Sequence, residues 1–317
     1  MICTLCPRRC GAIRTEAAGS GFCGMPETPV IARAMLHHWE EPCVSGTRGS
    51  GAVFFSGCVL RCVFCQNGEI SHRRFGKSVS ALRLREIFEE LIAQGAHNIN
   101  LVSPTPFVPA ILEALTPPLP VPVVWNTGGY ERVETLWQLE GRVQVWLPDL
   151  KYAGSRLAKE YSGAADYFEA AAAAIREMHR QSGDYVIKDG LIQRGVIIRH
   201  LLLPGALENA KAVMDWVAGT FRPGQVLFSL MSQYTPQPGA SGLLARRVTG
   251  GEYRAALAYM ENLGITDGYC QDSSSAREEY TPAFDLSGVT ECGAPSSASE
   301  ALTRSAAGRA GPPCNAK

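Results

Sequence analysis

Apolar and β-branched residues gather in six short runs along the middle of the chain, with few polar residues inside each run. Runs of this length and composition are typical of β-strands that are buried on both faces, as in a parallel sheet. The predicted strands cover residues 52–56, 98–103, 121–127, 143–147, 195–203 and 225–231.

Stretches with helical periodicity lie between these predicted strands and after the last one. In the first stretch, Leu84, Ile87 and Leu91 share one face. Gly95 follows it and provides a stop. The fourth stretch depends on a run of alanines, which have high helix propensity but define no strong apolar face. The predicted helices cover residues 80–94, 107–115, 131–139, 164–179, 207–218 and 252–263.

The alternation of strands and helices predicts an α/β fold with a parallel sheet covered by helices. Right-handed crossovers would curl such a sheet either into an open doubly wound sheet or into a partial barrel. In both architectures, ligands bind at the carboxyl ends of the strands. Polar and glycine-containing segments follow the predicted strands, so we expect the functional site at that edge.

Composition divides the chain into three regions, which we predict to be its domains. Residues 1–47 are rich in Cys, Gly and Pro, and residues 48–291 carry the strand–helix repeat. Residues 292–317 lack aromatic residues and are dominated by Ala, Ser, Gly and Pro, which predicts a disordered tail. Hydrophobic residues make up 46% of the chain, which is enough for a buried core in the middle region.

Charge and hydropathy argue against several classes of protein. Lys and Arg total 30, and Asp and Glu also total 30, so no net positive charge attracts nucleic acid or anionic membranes. No run approaches the roughly 18 apolar residues of a membrane span, and the first residues lack the apolar stretch of a secretory signal. We therefore expect a cytoplasmic protein without a membrane or nucleic-acid partner.

Cysteines are concentrated at the start of the chain, where eight of the eleven lie within the first 65 residues. In a protein without an export signal, clustered cysteines indicate metal or iron–sulfur ligands rather than disulfides. After the first predicted strand, Cys58, Cys62 and Cys65 follow a Cys-x3-Cys-x2-Cys spacing. Three thiolates suit a 4Fe–4S cluster with one open iron better than structural zinc, which takes four ligands. Three inert thiols or a zinc loop are the alternatives.

This loop, with the sequence GCVLRCVFCQN, resembles the signature of the radical S-adenosylmethionine (SAM) superfamily. The resemblance implies that Cys58, Cys62 and Cys65 bind three irons of a 4Fe–4S cluster. The fourth iron would bind the amino and carboxylate groups of SAM, and Phe64 would lie against the adenine. One electron from the cluster would split SAM, and the resulting 5′-deoxyadenosyl radical would abstract a hydrogen atom from the substrate.

Further segments resemble uncharacterised proteins related to pyruvate formate-lyase activating enzymes, among them HHWEEPCVSGTRGSG, NINLVSPTPFVP, VPVVWNTGGYE and WLPDLKY. The resemblance extends from about residue 1 to residue 290 and implies a partial (β/α)6 barrel. It also implies an electron donor such as flavodoxin or ferredoxin. The substrate would be a protein, for example a glycyl residue of a partner enzyme, or a small molecule.

Polar residues at the ends of the later strands are candidates for binding the cofactor. The superfamily often has a Gly-Gly-Glu after the second strand, and this chain lacks it, so backbone carbonyls or Thr105 would bind the SAM amino group. Arg199 lies inside an apolar run and needs a partner, which a carboxylate in the barrel lumen would supply. A rigid turn at Thr105 and a surface ion pair of Asp149 with Lys151 are the structural alternatives. The candidates are Thr105, Asn126, Thr127, Gly128, Asp149, Lys151 and Arg199.

Four further cysteines, in the pattern Cys-x2-Cys-x3-Cys-x12-Cys, lie in the first 23 residues. Four thiolates without an open position predict an auxiliary iron–sulfur cluster or a structural Zn²⁺, with free thiols as the alternative. So short a segment has no apolar core that would order it without metal. These ligands are Cys3, Cys6, Cys10 and Cys23. Cys43 is a candidate extra ligand. Residues 37–41 are interpreted as a linker that packs Trp39 on the barrel, with contact to metal or substrate as the alternative.

The sequence thus predicts a radical SAM enzyme that abstracts a hydrogen atom, with a glycyl residue of a partner enzyme as one target. Radical modification of RNA or of a metabolite is the alternative among enzymes. A non-catalytic iron–sulfur electron carrier, in which the protein supplies every cluster ligand, is the alternative from a different class.

Overall fold

The computed structural model describes residues 2–270 and 282–290, and its core is one mixed sheet flanked by helices. The strands in these residues are β1 (Val30–His37), β2 (Ser50–Phe55), β3 (Lys77–Ser78), β4 (Ile99–Val102), β5 (Val123–Thr127), β6 (Val145–Pro148), β7 (Val186–Lys188), β8 (Leu191–Leu201), β9 (Leu227–Met231) and β10 (Gly268–Cys270). The α-helices are α1 (Pro42–Ser45), α2 (Gly68–Ser71), α3 (Ala81–Ala93), α4 (Val108–Ala114), α5 (Val133–Leu136), α6 (Ser155–Ser162), α7 (Tyr167–Ser182), α8 (Leu207–Thr220) and α9 (Gly250–Asn262). Short 3-10 turns cover Thr105–Phe107, Trp137–Leu139 and Gly242–Ala245.

Parallel strands form the centre of the sheet, in the order β2, β4, β5, β6, β8, β9 and β10. Five of them are buried along their whole length, which explains their nearly continuous apolar sequences. Each of the six predicted strands corresponds to one of these parallel strands, so the predicted α/β fold is confirmed. The end strands β3 and β10 do not pair with each other in the described part of the chain, and the sheet forms an open partial barrel.

The sheet begins earlier in the chain than the sequence pattern indicates. β1 lies within the region 1–47 and pairs antiparallel with β2, from Ile31 opposite Phe55 to His37 opposite Ser50. β3 adds a further antiparallel pairing to β1. The pattern did not predict β1 because Arg33 interrupts its apolar run. The domain boundary at residue 47 stays a prediction, and the sheet extends across it.

Most predicted helices are confirmed, with shifted ends. α3 begins after Ser80, whose hydroxyl accepts a hydrogen bond from the Arg83 N–H and caps the helix. α7 begins later than residue 164 because the unpredicted helix α6 ends directly before it, at Gly163 in the left-handed conformation. Residues 131–139 form only the single turn α5 and a 3-10 turn. Glu131 lies before this turn, and its carboxylate accepts a hydrogen bond from the Thr127 hydroxyl.

Residues 282–290 pack along β1. The Ala34 N–H donates to the Ser287 carbonyl at 2.9 Å, and the Leu286 N–H donates to the Ala32 carbonyl at 3.0 Å. The tail predicted for residues 292–317 lies outside the described residues. Among the residues that are described, no helix has the length and apolar character needed to cross a membrane.

Candidate functional site

The loop after β2 carries three cysteines to the carboxyl end of the sheet. It begins at Gly57, whose φ is +76°, and a Cβ at this position would meet Cγ of Met25 at 2.2 Å. Glycine adopts this conformation without steric cost, so the chain turns sharply into the cysteine loop. Cys58, Cys62 and Cys65 line one cavity of about 1230 Å³ that is open to solvent.

Hydrogen-bond donors lie next to the sulfur atoms of this loop. The Leu60 N–H donates to Cys58 Sγ at 3.4 Å. The hydroxyl of Ser162, at the end of α6, donates to Cys62 Sγ at 3.0 Å. Such donors stabilise negative charge on sulfur, so the loop is built to hold thiolates.

Burial governs the protonation of Cys62 and Cys65. Burial raises the pKa of Cys62, and the Lys151 ammonium acts in the opposite direction without overcoming it. Burial also raises the pKa of Cys65 to about 12. At neutral pH these groups are therefore thiols unless a metal stabilises the thiolates, because metal binding requires their deprotonation.

The donor set fits a 4Fe–4S cluster. Cys58, Cys62 and Cys65 supply three soft ligands and leave one iron for a fourth, external ligand. Within residues 2–270 and 282–290, no three Cys, His, Asp or Glu side chains converge on a single metal ion.

Phe64 forms part of the cavity wall beside Cys65. Its ring is 6% exposed and meets the rings of Tyr152, Tyr161 and Tyr234 edge-on, with centroids 6.5, 6.1 and 6.5 Å away. Edge-to-face contacts of this kind hold a ring in one orientation. The Phe64 ring is therefore held in place at the cavity, and its contact with adenine stays a prediction.

Four charged side chains meet in the same cavity. Arg199 of β8 donates from Nε to Asp149 Oδ1 at 3.0 Å and from Nη1 to Glu40 Oε2 at 3.1 Å. Lys151 Nζ donates to Asp149 Oδ2 at 2.5 Å. The carboxylate partners predicted for Arg199 are therefore Asp149 and Glu40 of the protein itself.

Burial and charge act against each other in this network. Burial raises the pKa of Asp149, but Lys151 and Arg199 outweigh it and hold the pKa below its ordinary value. Burial lowers the pKa of Lys151 and of Arg199, yet the charge of Asp149 raises both above their ordinary values. The Lys151 and Asp149 side chains are only 16% and 17% exposed, so the alternative of a surface ion pair is wrong.

Glu40 lies in the cavity, although the sequence did not distinguish it from the rest of segment 37–41. Its Oε1 accepts hydrogen bonds from Asn100 Nδ2 at 2.9 Å and from Asn126 Nδ2 at 3.0 Å. Segment 37–41 therefore inserts a carboxylate into the barrel instead of serving as a linker. Trp39, predicted to pack on the barrel, stays 53% exposed and lines the same cavity. Two adjacent acidic residues before a proline were the available signal.

Thr105 is the predicted cofactor-binding residue that the structure places elsewhere. The 3-10 turn Thr105–Phe107 buries its side chain, and its hydroxyl donates to Glu131 Oε1 at 2.6 Å. Thr105 lines the cavity of the N-terminal cysteines and is absent from the wall of the larger one. The residue that lines the larger cavity after β4 is Ser103, whose φ is +58°.

The remaining predicted residues do line the larger cavity, and their roles stay predictions. A Cβ at Gly128 would meet Cδ1 of Leu60 at 2.8 Å, and one at Gly129 would meet the Asp149 carbonyl oxygen at 2.1 Å. These glycines therefore let neighbouring strand-end loops pack closely, beside any role in ligand approach. The residues in question are Asn126, Thr127, Gly128, Asp149, Lys151 and Arg199.

The N-terminal cysteines line a second, smaller cavity of about 310 Å³. Burial raises the pKa of Cys6 to about 12, and a hydrogen bond from the Arg8 N–H acts in the opposite direction. Burial likewise raises the pKa of Cys23, opposed by the Met25 N–H. In both turns the N–H two residues after a cysteine faces its sulfur, as it does after Cys58. The cavity collects all four predicted ligands, Cys3, Cys6, Cys10 and Cys23.

Cys43 does not join this group. It is buried in α1, and burial raises its pKa to about 11 while a hydrogen bond with Tyr269 acts against that change. It lines neither cysteine cavity, so the suggestion of an extra ligand is wrong. His200 is buried, and its Nδ1 lies 2.6 Å from the Leu150 carbonyl oxygen.

Sequence comparison relates the middle of the chain to one superfamily. Residues 52–187 match the family model described as Radical SAM superfamily. The chain is also 30% identical over 275 residues to the uncharacterized protein MJ0674 of Methanocaldococcus jannaschii. This alignment covers 83% of this chain and 75% of that protein.

Solved structures with a similar chain path include two enzymes. A radical SAM methyltransferase from Sphaerobacter thermophilus has 16% identity and a TM-score of 0.47, over 70% of this chain and 66% of that one. A domain of a pyruvate-formate lyase-activating enzyme from Bacteroides vulgatus has 14% identity and a TM-score of 0.35, over 61% of this chain and 91% of that one. The chain thus spans slightly less than two thirds of the methyltransferase.

Proposed function

Because the chain belongs to the radical SAM superfamily, we propose that it cleaves SAM reductively and abstracts a hydrogen atom from a substrate in the same cavity. The observation that carries the proposal is the position of Cys58, Cys62 and Cys65 on one cavity at the carboxyl end of the parallel sheet. When bound there, a 4Fe–4S cluster supplies the electron that breaks the bond between the SAM sulfur and its 5′ carbon.

The cysteine loop would hold the cluster and leave one coordination position open. Cys58, Cys62 and Cys65 bind through thiolates, and the Leu60 N–H and the Ser162 hydroxyl hydrogen-bond to two of those sulfurs. Hydrogen bonds to the ligand sulfurs are among the features that set the potential of such clusters. The open position accepts the amino and carboxylate groups of SAM.

The charged network would orient the rest of the nucleoside. Lys151 uses one of its three donors on Asp149, so its remaining donors are available to a SAM carboxylate or ribose hydroxyl. Asp149 is itself held by Arg199, which fixes the position of the whole group. Phe64 provides a flat apolar surface for the adenine.

We propose a protein backbone as the substrate, with a glycyl residue of a partner enzyme as the first candidate. The cavity is open to solvent, so a segment of a partner protein can reach it. The resemblance of WLPDLKY, which contains Asp149 and Lys151, to the activating enzymes also supports this candidate. RNA or a metabolite is the second candidate.

The test of SAM cleavage compares two cysteine variants after anaerobic reconstitution with iron and sulfide. The wild type is expected to form 5′-deoxyadenosine with a strong reductant, and its reduced-cluster EPR signal is expected to change when SAM is added. Cys62→Ala is expected to lose both properties, because it removes a cluster ligand. Cys270→Ala changes an exposed cysteine in β10 and is expected to retain both.

Two results would contradict the proposed cleavage. Formation of 5′-deoxyadenosine by Cys62→Ala would show that the loop is not the cluster site. An EPR signal that SAM leaves unchanged in the wild type would favour the electron carrier, whose cluster has no open iron.

The class of substrate is testable with extracts of cells grown in D₂O. Protein, RNA and small-molecule fractions are added separately to the reconstituted enzyme, and deuterium in 5′-deoxyadenosine is measured by mass spectrometry. We expect transfer from the protein fraction, because the abstracted atom comes from the substrate. Transfer from the RNA or small-molecule fraction alone would replace the protein candidate, and Cys62→Ala controls for uncatalysed exchange.

We also propose that Cys3, Cys6, Cys10 and Cys23 hold a second metal group, either an auxiliary iron–sulfur cluster or Zn²⁺. Their shared cavity and the backbone N–H groups at Cys6 and Cys23 support this site. An iron content of about eight per chain indicates two clusters, and about four with zinc indicates a zinc site. A flavodoxin or ferredoxin donor and a cytoplasmic location stay predictions.

A further inference from the structure

Arg8 joins the N-terminal cysteine segment to the loop that carries the other three cysteines. Its Nε donates to the Val59 carbonyl at 2.8 Å, and its Nη2 donates to the Ser162 carbonyl at 2.6 Å. Its Nη1 donates to the Gly163 carbonyl. One guanidinium therefore bridges the residue after Cys58 and the end of α6.

These contacts lead directly to the sulfur atoms of the larger cavity. Val59 follows Cys58 in the chain, so its carbonyl belongs to the turn in which the Leu60 N–H faces the Cys58 sulfur. Ser162 uses its carbonyl for Arg8 and its hydroxyl for Cys62 Sγ, 3.0 Å away. A displacement of Arg8 would therefore disturb the surroundings of two ligands.

The N-terminal segment in turn holds Arg8. Arg8 lies between Cys6 and Cys10 in the chain, and its guanidinium stacks 4.0 Å from the centre of the Phe22 ring, next to Cys23. The segment has little apolar core of its own, so a metal that gathers the cysteines would add to the hydrogen bonds that anchor it. Binding such a metal would fix Arg8 and Phe22 together.

We propose that the metal centre of Cys3, Cys6, Cys10 and Cys23 positions, through Arg8, the loop of residues 57–65 that carries Cys58, Cys62 and Cys65 (the cluster loop). The inference deepens the proposed function and rests on it. The four cysteines would bind this centre through thiolates, and either an iron–sulfur cluster or Zn²⁺ meets that requirement. Arg8 acts as a positioning residue, and its rigid fork of five N–H donors is suited to binding several carbonyls at once.

The experiment compares two variants of Arg8 with one variant of an N-terminal cysteine. Arg8→Ala and Arg8→Lys remove or weaken the bridge, while Arg9→Ala changes the adjacent, exposed arginine and serves as the matched control. Cys10→Ser removes one exposed ligand of the second site. Iron and zinc content, hydrogen exchange of residues 57–65, the EPR signal with and without SAM, and 5′-deoxyadenosine formation are measured after reconstitution.

We expect Arg8→Ala to keep both metal groups and yet expose the cluster loop. The hydrogen-exchange rate of the backbone amides in residues 57–65 is expected to rise about tenfold or more. A change of this size corresponds to the loss of one charge-assisted hydrogen bond. The EPR signal is expected to shift, and SAM cleavage to fall by a similar factor. Arg8→Lys is expected to be intermediate, and Arg9→Ala to match the wild type.

The cysteine variant tests whether the metal acts through Arg8. Cys10→Ser is expected to lose the second metal and to reproduce the faster loop exchange of Arg8→Ala. The double variant Arg8→Ala/Cys10→Ser is expected to add nothing further, because both changes break the same connection.

Several outcomes would overturn the proposal. These are a wild type with about four irons and no zinc per chain, unchanged exchange and EPR in Arg8→Ala, or additive effects in the double variant. If Arg8→Ala fails to fold, Arg8→Lys and Cys10→Ser carry the same comparison. Loop exchange and metal content do not depend on catalysis, so a wild type that shows the coupling without cleaving SAM would contradict only the proposed function.

Discussion

Arg199 shows how this barrel accommodates a charge inside an apolar strand. Its guanidinium is bound by Asp149, Glu40 and Asn126, which come from three separate segments of the chain. Removal of one partner from a buried ion pair typically costs about 3–5 kcal/mol because the remaining charge stays desolvated. Because each charge is costly to unpair, the network is held in place on the wall of the cavity.

Glu131 is a buried carboxyl group without a cationic partner among the hydrogen bonds at its side chain. Its Oε1 accepts hydrogen bonds from the Thr105 hydroxyl at 2.6 Å and from the Thr127 hydroxyl at 2.5 Å. Burial raises its pKa from 4.5 to about 7, although both hydroxyls act in the opposite direction. The folded protein therefore binds a proton here that the unfolded chain has already released above its ordinary pKa.

This difference predicts a pH-dependent loss of stability. Between about pH 4.5 and about pH 7 the folded state holds more protons at Glu131 than the unfolded state, so stability falls as pH rises. The loss amounts to at most about 3.5 kcal/mol, since one pKa unit corresponds to about 1.4 kcal/mol. Glu131→Gln is expected to remove this contribution, as measured by urea unfolding at several pH values.

The control for this experiment is Glu113→Gln, which changes an exposed carboxylate of α4. Its difference from the wild type is expected to stay constant with pH. Buried His37 and His200, whose pKa values burial lowers to about 4, change stability in the opposite direction in both variants. A difference between Glu131→Gln and the wild type that does not vary from pH 5 to pH 8 would refute the raised pKa.

At the scale of elements, α9 is joined to the loop after β8 by the residues that cap it. Thr249 and Glu252 form a capping box, in which the Thr249 hydroxyl accepts from the Glu252 N–H at 3.2 Å. The Glu252 carboxylate also accepts hydrogen bonds from the Gly205 N–H at 2.7 Å and from Arg246. The helix start therefore fixes a loop at the carboxyl edge of the sheet.

Thr249→Ala is expected to lower the free energy of unfolding by about 1 kcal/mol, because one N–H of the first turn loses its partner. Ser241→Ala is the matched control, since Ser241 precedes a 3-10 turn without a side-chain capping hydrogen bond. It is expected to change the free energy by less than about half that amount. Equal effects of the two variants in urea unfolding would argue against the capping box.

At the scale of the whole molecule, the proposed cofactor couples the site to overall stability. A ligand that binds only the folded state adds about 2.7 kcal/mol of stability at a concentration of about 100 times its Kd. Saturating SAM is therefore expected to raise the thermal midpoint of the cluster-loaded protein. Cys62→Ala, which lacks the open iron, is expected to show little of this increase in differential scanning fluorimetry under anaerobic conditions.

The N-terminal segment is also part of the whole molecule's construction. Arg132 donates to the Thr4 carbonyl at 2.6 Å and Thr135 donates to the Leu5 carbonyl at 2.9 Å, which anchors the segment near α5. Arg8 anchors it to the cluster loop. These contacts join the first residues of the chain to residues 51, 128 and 130 positions later, so the two cysteine cavities belong to one packed unit.

The sequence alone determined six of the seven parallel strands, most helices and the spacing of Cys58, Cys62 and Cys65 in the loop after β2. These features are local: an apolar run, a helical period or a spacing of three and two residues lies within one window of the chain. It also predicted that Arg199 required a carboxylate partner, because an unpaired charge in an apolar strand is too costly.

The tertiary structure alone decided which side chains meet. Glu40 reaches Arg199 across 159 positions of sequence, and Arg8 reaches Ser162 across 154. The 3-10 turn after β4 directs Thr105 to Glu131, although its sequence position suggested the larger cavity. Such contacts depend on how strands and loops pack in three dimensions, and no periodicity along the chain encodes them.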